Sequence, residues 1–331
     1  MDPLDAPSMS GSLFTPKART APPTYSTVIP VFNSAGIVAQ TIDMCAAFFE
    51  EQQLSYEIVV VDDGSTDGSW EVLKAQAATN RRVHAVRLLR NYGQHSAVHC
   101  GLSVSRGAYV VVLDDDLQNR PSEIRHLIDK ALTGSDLVFG RFRRKEHSLA
   151  RRIGSTVINR INTAVFKKPQ GLVLTNFKLI HRSVVDRILA HRTHFPYING
   201  LAILYARRPA DVLVEHHERT VGRSNYALPQ MLELLTRILF NYSAFPLRLL
   251  AASGVIVAGF SFCFAAYVLT KALLGGTTVP GWASVVVLLT FFNGVTLLIL
   301  GIIGEYLIRM LTQTSITEPY HIVEAARQDD E

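Results

Sequence analysis

Short apolar runs alternate with amphipathic segments of helical length between Thr24 and about Arg219. The apolar runs are rich in β-branched residues and predict strands at Ser26–Phe32, Glu57–Val61, His84–Leu89, Tyr109–Leu113 and Leu137–Phe139. The segments between them predict helices at Gly36–Gln52, Ser69–Thr79, Gln94–Ser105 and Pro121–Leu132. Several runs are apolar at successive positions, which is typical of strands buried on both faces of a parallel sheet. The pattern therefore predicts an open, doubly wound α/β domain.

Two uncharged apolar stretches, Leu249–Thr270 and Trp282–Gly304, follow this domain. Each is long enough for a helix across the roughly 30 Å hydrocarbon core of a membrane. Together they predict a transmembrane hairpin with helices at about 249–272 and 281–304. Two buried helices of a soluble protein are the alternative interpretation.

Basic residues flank the predicted spans unevenly. Arg237 and Arg248 precede the first span and Arg309 follows the second, whereas the connecting loop carries only Lys271. Because cytoplasmic flanks are enriched in Lys and Arg, we expect both ends of the hairpin and the large N-terminal domain in the cytoplasm.

These patterns divide the chain into five parts: a disordered tail (1–23), a cytoplasmic α/β domain (24–226), an interfacial region (227–247), the hairpin (248–310) and a cytoplasmic C-terminal tail (311–331). Met1–Pro23 is rich in Pro, Ser and Ala and lacks the apolar core of a signal peptide. Leu228–Phe240 is amphipathic, which fits a helix along the membrane surface and equally a helix packed on a core.

The net charge and the cysteine spacing argue against some classes of protein. The net charge of +5 over 331 residues is small for a nucleic-acid-binding protein. The three cysteines show neither paired nor metal-type spacing, so no disulfide framework is expected, which suits a reducing compartment. Small residues in the predicted spans offer packing positions for a homo-oligomer, namely Gly254, Gly259, Gly294 and Gly301.

Acidic residues follow two of the predicted strands, as Asp62-Asp63 and as Asp114-Asp115-Asp116. In open parallel sheets, ligands bind beyond the carboxyl ends of the strands. Three consecutive carboxylates repel one another unless a cation occupies the site. Carboxylates combined with substrate phosphates suit Mg²⁺ or Mn²⁺, so the sequence predicts a divalent-cation site here. Neither of the glycine-rich phosphate-binding motifs GxxxxGK[ST] and GxGxxG follows a strand.

Four ordered blocks resemble those of family 2 glycosyltransferases with the A-type fold: VIPVFN (Val28–Asn33), VDDGSTDGS (Val61–Ser69), RNYGQHSAVHCG (Arg90–Gly101) and LDDDLQNRPSEI (Leu113–Ile124). The last two are particularly similar to the polyprenyl-phosphate branch of the family. The block GIIGEYLIRM (Gly301–Met310) resembles the end of the second span in its bacterial members. The resemblance implies a Rossmann-like, mostly parallel A-type domain, followed by amphipathic interfacial helices and a two-helix transmembrane hairpin.

The resemblance also implies roles on the donor side. Pro30 and Asn33 are expected to border the nucleotide, and Asp62 and Asp63 to hold its base or ribose. Asp114 and Asp116 form the DxD motif, in which Asp115 replaces the usual small middle residue. Asp116 and Gln118 are expected to bind the metal, Mg²⁺ or Mn²⁺, while Asp114 is expected to contact the ribose or sugar. Ser34 stands where many relatives have Glu.

On the acceptor side, the resemblance assigns phosphate binding to Arg143, Arg151, Ser155, Arg219 and Ser224. Arginine suits this role because its planar fork reaches two phosphate oxygens at once. For the basic stretch as a whole, a solvated helix face is the alternative. Thr175–Leu179 resembles the family's DFRL block, but Asn176 replaces its aspartate, which weakens any role of that residue as a base.

The resemblance implies a bacterial inner-membrane enzyme that transfers a sugar from a nucleotide sugar, with UDP favoured, to undecaprenyl or another polyprenyl phosphate. The expected reaction is metal-dependent, inverts the anomeric configuration and serves modification of cell-envelope glycans. Two alternatives remain open: transfer to a hydroxyl acceptor, and a non-catalytic Mg²⁺-binding membrane sensor. A processive polysaccharide synthase is disfavoured because the sequence has no QxxRW motif.

Overall fold

The computed structural model describes residues 22–142, 149–193, 195–215, 235–239, 241–243 and 319–328, together with scattered positions between 256 and 310. Side chains are described for these residues except 149–157.

Eight strands and seven α-helices make up the described fold. The strands are β1 (Tyr25–Val31), β2 (Tyr56–Asp62), β3 (Val83–Leu88), β4 (Tyr109–Val112), β5 (Leu137–Phe142), β6 (Lys178–His181), β7 (Pro209–Val214) and β8 (Ile322–Ala326). The helices are α1 (Val38–Glu51), α2 (Ser69–Thr79), α3 (Gln94–Val104), α4 (Ile124–Leu132), α5 (Leu149–Phe166), α6 (Arg182–Ala190) and α7 (Ile198–Tyr205). A short 3₁₀ turn, Pro121–Glu123, leads into α4.

The strands form one mixed sheet in the order β7-β5-β6-β4-β1-β2-β3-β8. The four central strands β4, β1, β2 and β3 are mutually parallel, whereas β6 and β8 run antiparallel to their neighbours. β1 and β2 are buried along their whole length, as expected of strands covered on both faces. The predicted α/β class with a mostly parallel sheet is therefore confirmed.

Helices cover both faces of the sheet and enclose two apolar cores. On one face, side chains of α1, α2 and α4 pack on the strands, with Phe49, Trp70 and Ile124 fully or almost fully buried. On the other face, α3, α6 and α7 contribute residues such as Leu102 and Val185. This three-layer arrangement leaves the carboxyl ends of β1, β2 and β4 free at one edge of the sheet.

The nine strands and helices predicted as far as Phe139 all occur, with limits that shift by at most three residues. The helix predicted from Gly36 begins at Val38, because the carbonyl of Ser34 accepts the N–H groups of Ile37 and Val38 and forms a turn first. The strand predicted to end at Phe139 continues to Phe142, paired with β7. The region 311–331, predicted as a tail, contributes β8 to the edge of the sheet.

Most of the predicted membrane hairpin (248–310) falls outside the described residues, which include only scattered positions of it. Within the described part of the chain, no helix has both the length and the apolarity needed to cross a membrane.

Candidate functional site

A cavity of about 470 Å³ lies at the carboxyl ends of β1, β2 and β4. Six of the residues predicted from the sequence line it, namely Pro30, Asp63, Asp114, Asp115, Asp116 and Gln118. A second cavity of about 430 Å³ lies beside Tyr56 and Arg82, near the amino end of β2, and contains none of the predicted site residues. The cavity at the carboxyl ends is therefore the candidate active site.

The two carboxylates that end β2 have different surroundings. Asp63 faces the cavity and accepts the backbone N–H groups of Tyr92 and Gly93, both at 2.8 Å. Asp62 is fully buried, accepts the N–H of Ser65 at 2.9 Å and lies 3.3 Å from the Arg87 guanidinium. Asp63 is thus placed to contact a ligand, whereas Asp62, which does not line the cavity, braces the loop that carries it.

Asn33 joins the loops that follow β1 and β2. Its N–H donates to the Ser65 hydroxyl at 2.9 Å, and its side-chain oxygen accepts the N–H of Thr66 at 2.9 Å. Asn33 adopts a positive φ of 54°, which asparagine tolerates better than most residues. It does not line the cavity, so its described contacts are structural.

The three carboxylates after β4 crowd together at the edge of the cavity. Asp114 accepts the Gln94 side-chain amide at 2.6 Å, and Asp116 accepts the N–H of Gln118 at 3.1 Å. One carboxylate oxygen of Asp115, Oδ2, is buried and has no hydrogen-bond partner among the described residues. A buried carboxylate oxygen without a donor is costly, which favours a ligand or cation at this point.

The pKa values of three carboxyl groups in the cavity are raised. Burial, reinforced by the neighbouring Asp116, raises the pKa of Asp114 to about 6 and that of Asp115 to about 6. Burial likewise raises the pKa of Asp63 to about 6, although the N–H groups of Tyr92 and Gly93 oppose the shift. Several carboxyls with raised pKa in one cavity are typical of a site built to bind a positively charged group.

The donor set fits a hard divalent cation. Asp114, Asp115 and Asp116 supply carboxylate oxygens, Gln118 supplies an amide oxygen, and Asp115 has the unpartnered oxygen described above. Mg²⁺ is often held by one or two protein carboxylates together with substrate phosphates. Among the described residues, no group of three or more His, Cys, Asp or Glu side chains has the geometry of a metal site.

A buried lysine lies behind the cavity wall and was not predicted as a site residue. Lys178, the first residue of β6, is 2 % exposed and donates to the side chain of Asn199 at 2.8 Å and to the carbonyl of Asn176 at 3.2 Å. Burial lowers the pKa of Lys178 to about 8, although the Asp114 carboxylate opposes the shift. A charged residue inside the otherwise apolar run Phe177–Ile180 was the sequence feature that could have revealed it.

Two further side chains of the cavity were also missed. Gln94, at the start of α3, and Asn176, just before β6, both line it, and the Asn176 amide donates to Gln94 at 3.2 Å. Gln94 lies within the block Arg90–Gly101 that carried the family resemblance, but no role was assigned to it there.

The predicted acceptor-phosphate residues cannot be placed. Arg143, Arg219 and Ser224 lie outside the described residues, and of Arg151 and Ser155 only the backbone, within α5, is described.

Comparisons with known proteins agree with this geometry. The family model "Glycosyl transferase family 2" matches residues 26–189. The chain is 33 % identical to the undecaprenyl-phosphate 4-deoxy-4-formamido-L-arabinose transferase of Aeromonas hydrophila, over 91 % of this chain and 94 % of that protein. It is 36 % identical to the protein of the same name from Pseudomonas aeruginosa strain LESB58, over 91 % and 90 %.

A solved structure shares the fold. It is the glucosyl-3-phosphoglycerate synthase of Mycobacterium tuberculosis in complex with Mn²⁺, UDP-glucose and phosphoglyceric acid. It superimposes with a TM-score of 0.50 at 19 % identity, over 66 % of this chain and 79 % of that chain. Given a relative more than 30 % identical over nearly its whole length and the matching family model, this chain belongs to glycosyl transferase family 2 and is a glycosyltransferase.

Proposed function

We propose that this glycosyltransferase transfers a sugar from a nucleotide sugar, a UDP-sugar, to the phosphate of undecaprenyl or another polyprenyl phosphate. The observation that carries the proposal is the cavity at the carboxyl ends of β1, β2 and β4, where Asp63 and Asp114–Asp116 meet. The acceptor is supported by the undecaprenyl-phosphate transferases that match over 91 % of the chain. The choice of UDP rests on the resemblance of Arg90–Gly101 to the bacterial undecaprenyl branch.

On the donor side, Asp63 and Asp114 bind and orient the nucleotide sugar, and Asp116 with Gln118 would hold Mg²⁺ or Mn²⁺. When bound, such an ion supplies positive charge that stabilises the departing nucleoside diphosphate. Burial, and after it repulsion from Asp116, raises the pKa values of Asp114 and Asp115, and this fits the assignment because a bound cation would stabilise their ionised forms.

The reaction proposed is a single displacement at the anomeric carbon with inversion of configuration. The bond from that carbon to the donor phosphate breaks as a bond to an acceptor phosphate oxygen forms. A phosphate monoester is largely dianionic near pH 7, since its second pKa is about 6, so its oxygen attacks without first losing a proton. Asn176, whose amide cannot act as a base, is compatible with such an acceptor, whereas a hydroxyl acceptor would require one.

The lipid acceptor implies a membrane location, which we place at the cytoplasmic face of the inner membrane. Large apolar side chains are exposed at the described positions of the region 256–310, and their number supports contact with lipid. They are Ile256, Val285, Leu289, Phe291, Phe292, Ile299, Leu300, Ile303, Leu307 and Met310.

A donor panel tests the proposal. The full chain, purified in detergent, is supplied with undecaprenyl phosphate, Mg²⁺ or Mn²⁺ and one nucleotide sugar at a time: UDP-glucose, UDP-galactose, UDP-N-acetylglucosamine or a UDP-linked aminoarabinose derivative. Mass spectrometry of the lipid fraction should show one new polyprenyl-monophosphate-linked sugar, and NMR should show the inverted anomer. Retained configuration would rule out the single displacement, and nucleotide binding without turnover across the panel would favour the sensor.

A further inference from the structure

We propose that Lys178 is a positioning residue for the donor site, acting through Asn176 and Gln94 on Asp114. The inference rests on the proposed function, because it assumes that the cavity binds the nucleotide part of the donor. It adds a buried cation, outside the cavity lining, to the residues on which donor binding depends.

The first step is the place of Lys178 in the sheet. β6 runs antiparallel to β4, with Lys178 paired to Val112, so the first residue of β6 lies at the edge where β4 ends and the acidic cluster begins. A lysine that is 2 % exposed loses most of its hydration, and the cost is offset only by good partners. It donates hydrogen bonds to neutral oxygens of Asn176 and Asn199, and the Asp114 carboxylate is near enough to act on its charge.

The second step is the chain of contacts that leads from Lys178 into the cavity. Lys178 holds the backbone of Asn176 by its carbonyl, at 3.2 Å. The Asn176 amide donates to the Gln94 carbonyl oxygen at 3.2 Å, and the Gln94 amide donates to Asp114 at 2.6 Å. Each amide is thereby fixed in one orientation, so a shift of the Asn176 backbone alters how Gln94 and Asp114 face a ligand.

The third step is the second anchor of Lys178. Asn199 lies in the first turn of α7, is 8 % exposed, and accepts from Lys178 at 2.8 Å. The lysine therefore ties the start of β6 to a helix of the neighbouring layer. Without the ammonium group, the buried Asn199 oxygen loses this donor and the segment before β6 loses its tie to α7.

The test compares two buried lysines. Lys178→Met removes the charge at similar length. Lys168→Met is the matched control: Lys168 is 4 % exposed and donates to the carbonyls of Pro169 and Leu172, but it does not line the cavity or contact its residues in the described structure. Both variants should lose thermal stability, whereas only Lys178→Met should weaken UDP binding.

UDP with Mn²⁺, titrated by calorimetry into the full chain in detergent, is the probe because it needs neither the right sugar nor the acceptor. We expect Lys178→Met to weaken the UDP affinity by about tenfold, the scale typical of residues that orient direct ligands. Lys178→Arg, which keeps a cation, should recover most of the loss. Asn199→Ala, which removes one anchor, should shift the affinity in the same direction and serves as the reporter if Lys178→Met does not fold.

The outcomes separate this inference from the proposed function. Wild-type UDP affinity in folded Lys178→Met or in Asn199→Ala, or an equal loss in Lys168→Met, overturns the role of Lys178 whatever the panel shows. If the wild type binds UDP but transfers no sugar to undecaprenyl phosphate, the proposed acceptor fails while the role of Lys178 is still decided by the affinities. If the wild type binds no UDP, both are overturned.

Discussion

At the scale of single residues, the carboxyl groups at the two ends of β2 have pKa values shifted in opposite directions. Glu57, near the amino end, is 2 % exposed; burial alone would raise its pKa, but hydrogen bonds from His84, Ser26 and the Arg106 N–H lower it to about 2. Asp63, just beyond the carboxyl end, has its pKa raised to about 6 by burial. Hydrogen bonds within the fold thus stabilise the ionised form of Glu57 at the amino end. At the carboxyl end, a bound ligand would be needed to stabilise the ionised form of Asp63 in the same way.

Glu57→Gln should therefore destabilise the fold at neutral pH. Because the pKa of Glu57 is lowered from 4.5 to about 2, its charge contributes stability above pH 4.5 that is lost as the pH falls toward 2. The shift corresponds to about 3 kcal/mol at pH 7. Urea unfolding of the variant and wild type at several pH values should show the difference shrinking below pH 4.5. A difference that stays constant from pH 7 to pH 3 would contradict this role.

Gly64 follows Asp63 in the loop after β2, where the backbone conformation and the close approach of Arg90 require a glycine. Its φ is +71°, and a Cβ there would lie 2.5 Å from the backbone carbon of Arg90. Gly64→Ala should cost about 1–3 kcal/mol and displace the segment that donates to Asp63, so UDP affinity should fall as well. Gly68→Ala is the matched control, since its φ is +88° but the nearest atom to its Cβ would be a Glu71 oxygen at 4.0 Å. Equal effects of the two variants on UDP affinity would refute the requirement.

Asp116 is the residue on which the metal assignment depends. Asp116→Ala should abolish Mn²⁺-dependent turnover while leaving the melting temperature near that of the wild type, because a partly exposed carboxylate in a crowded acidic cluster contributes little to folding. Asp129→Ala is the control: Asp129 is an exposed carboxylate that pairs with Arg125 on α4 at 2.9 Å. Wild-type rates in Asp116→Ala would exclude Asp116 as a metal ligand.

At the scale of elements, the strand β8 completes the sheet from the far end of the chain. Its backbone pairs with β3, and the indole of the almost fully buried Trp70, on the first turn of α2, donates to Glu324 at 2.9 Å. Just before β8, the carbonyl of His321 accepts the N–H of Leu89, and the His321 ring contacts Tyr92. β8 therefore covers the edge of β3 and supports the segment that carries the N–H donors to Asp63.

Glu324→Leu should remove the acceptor of the Trp70 indole and destabilise the protein by about 1 kcal/mol, as expected when one hydrogen bond to a buried donor is lost. Glu324→Gln keeps an acceptor oxygen and should cost less. Thermal unfolding of the two variants in parallel measures the difference. An equal loss for both would mean that the charge of Glu324, which also lies 3.9 Å from Lys74, and not the hydrogen bond, stabilises this edge.

The strands and helices with a local pattern of apolar residues could be predicted from the sequence. The strands that form only by pairing with distant parts of the chain were missed. The first five strands are apolar runs followed by turn residues, and the helices between them are amphipathic, so pattern alone located them within three residues. β6 contains a buried lysine and β8 reads Ile-Val-Glu-Ala-Ala, so neither has a strand-like alternation of its own. Both are strands because neighbouring strands offer them backbone partners, β4 and β5 for β6 and β3 for β8.

The residues of the candidate site also fall into those that could be predicted from the sequence and those that could not. Asp63 and Asp114–Asp116 could be predicted because strand-end carboxylates in an α/β fold point to one edge. Asp62 was predicted on the same grounds and Asn33 from the family resemblance, but they are engaged by Ser65, Thr66 and Arg87. The charge of Lys178 inside an apolar run was visible in the sequence, but its pairing with Asn199 was not, because the two residues meet only when β6 and α7 pack together.

At the scale of the whole molecule, residues that precede the predicted membrane hairpin in the sequence and residues that follow it both contact the α/β domain. Before it, the Tyr242 hydroxyl donates to the carbonyl of Phe195 at 2.5 Å and accepts the N–H of Tyr197 at 3.1 Å. After it, β8 joins the sheet. If the hairpin lies in the membrane as proposed, these two attachments hold the domain close to the bilayer, where a lipid phosphate can reach the cavity.

The acceptor phosphate is the centre of this account, and one comparison tests it most directly. The wild-type protein, with Mn²⁺ and the donor selected by the panel, is assayed by mass spectrometry against undecaprenyl phosphate and against undecaprenol, which differs only in lacking the phosphate. The account predicts a glycosylated lipid from undecaprenyl phosphate and none from undecaprenol, because a phosphate oxygen is already ionised near pH 7, whereas an alcohol must lose a proton that the Asn176 amide cannot accept. Glycosylated undecaprenol at a comparable rate would contradict it.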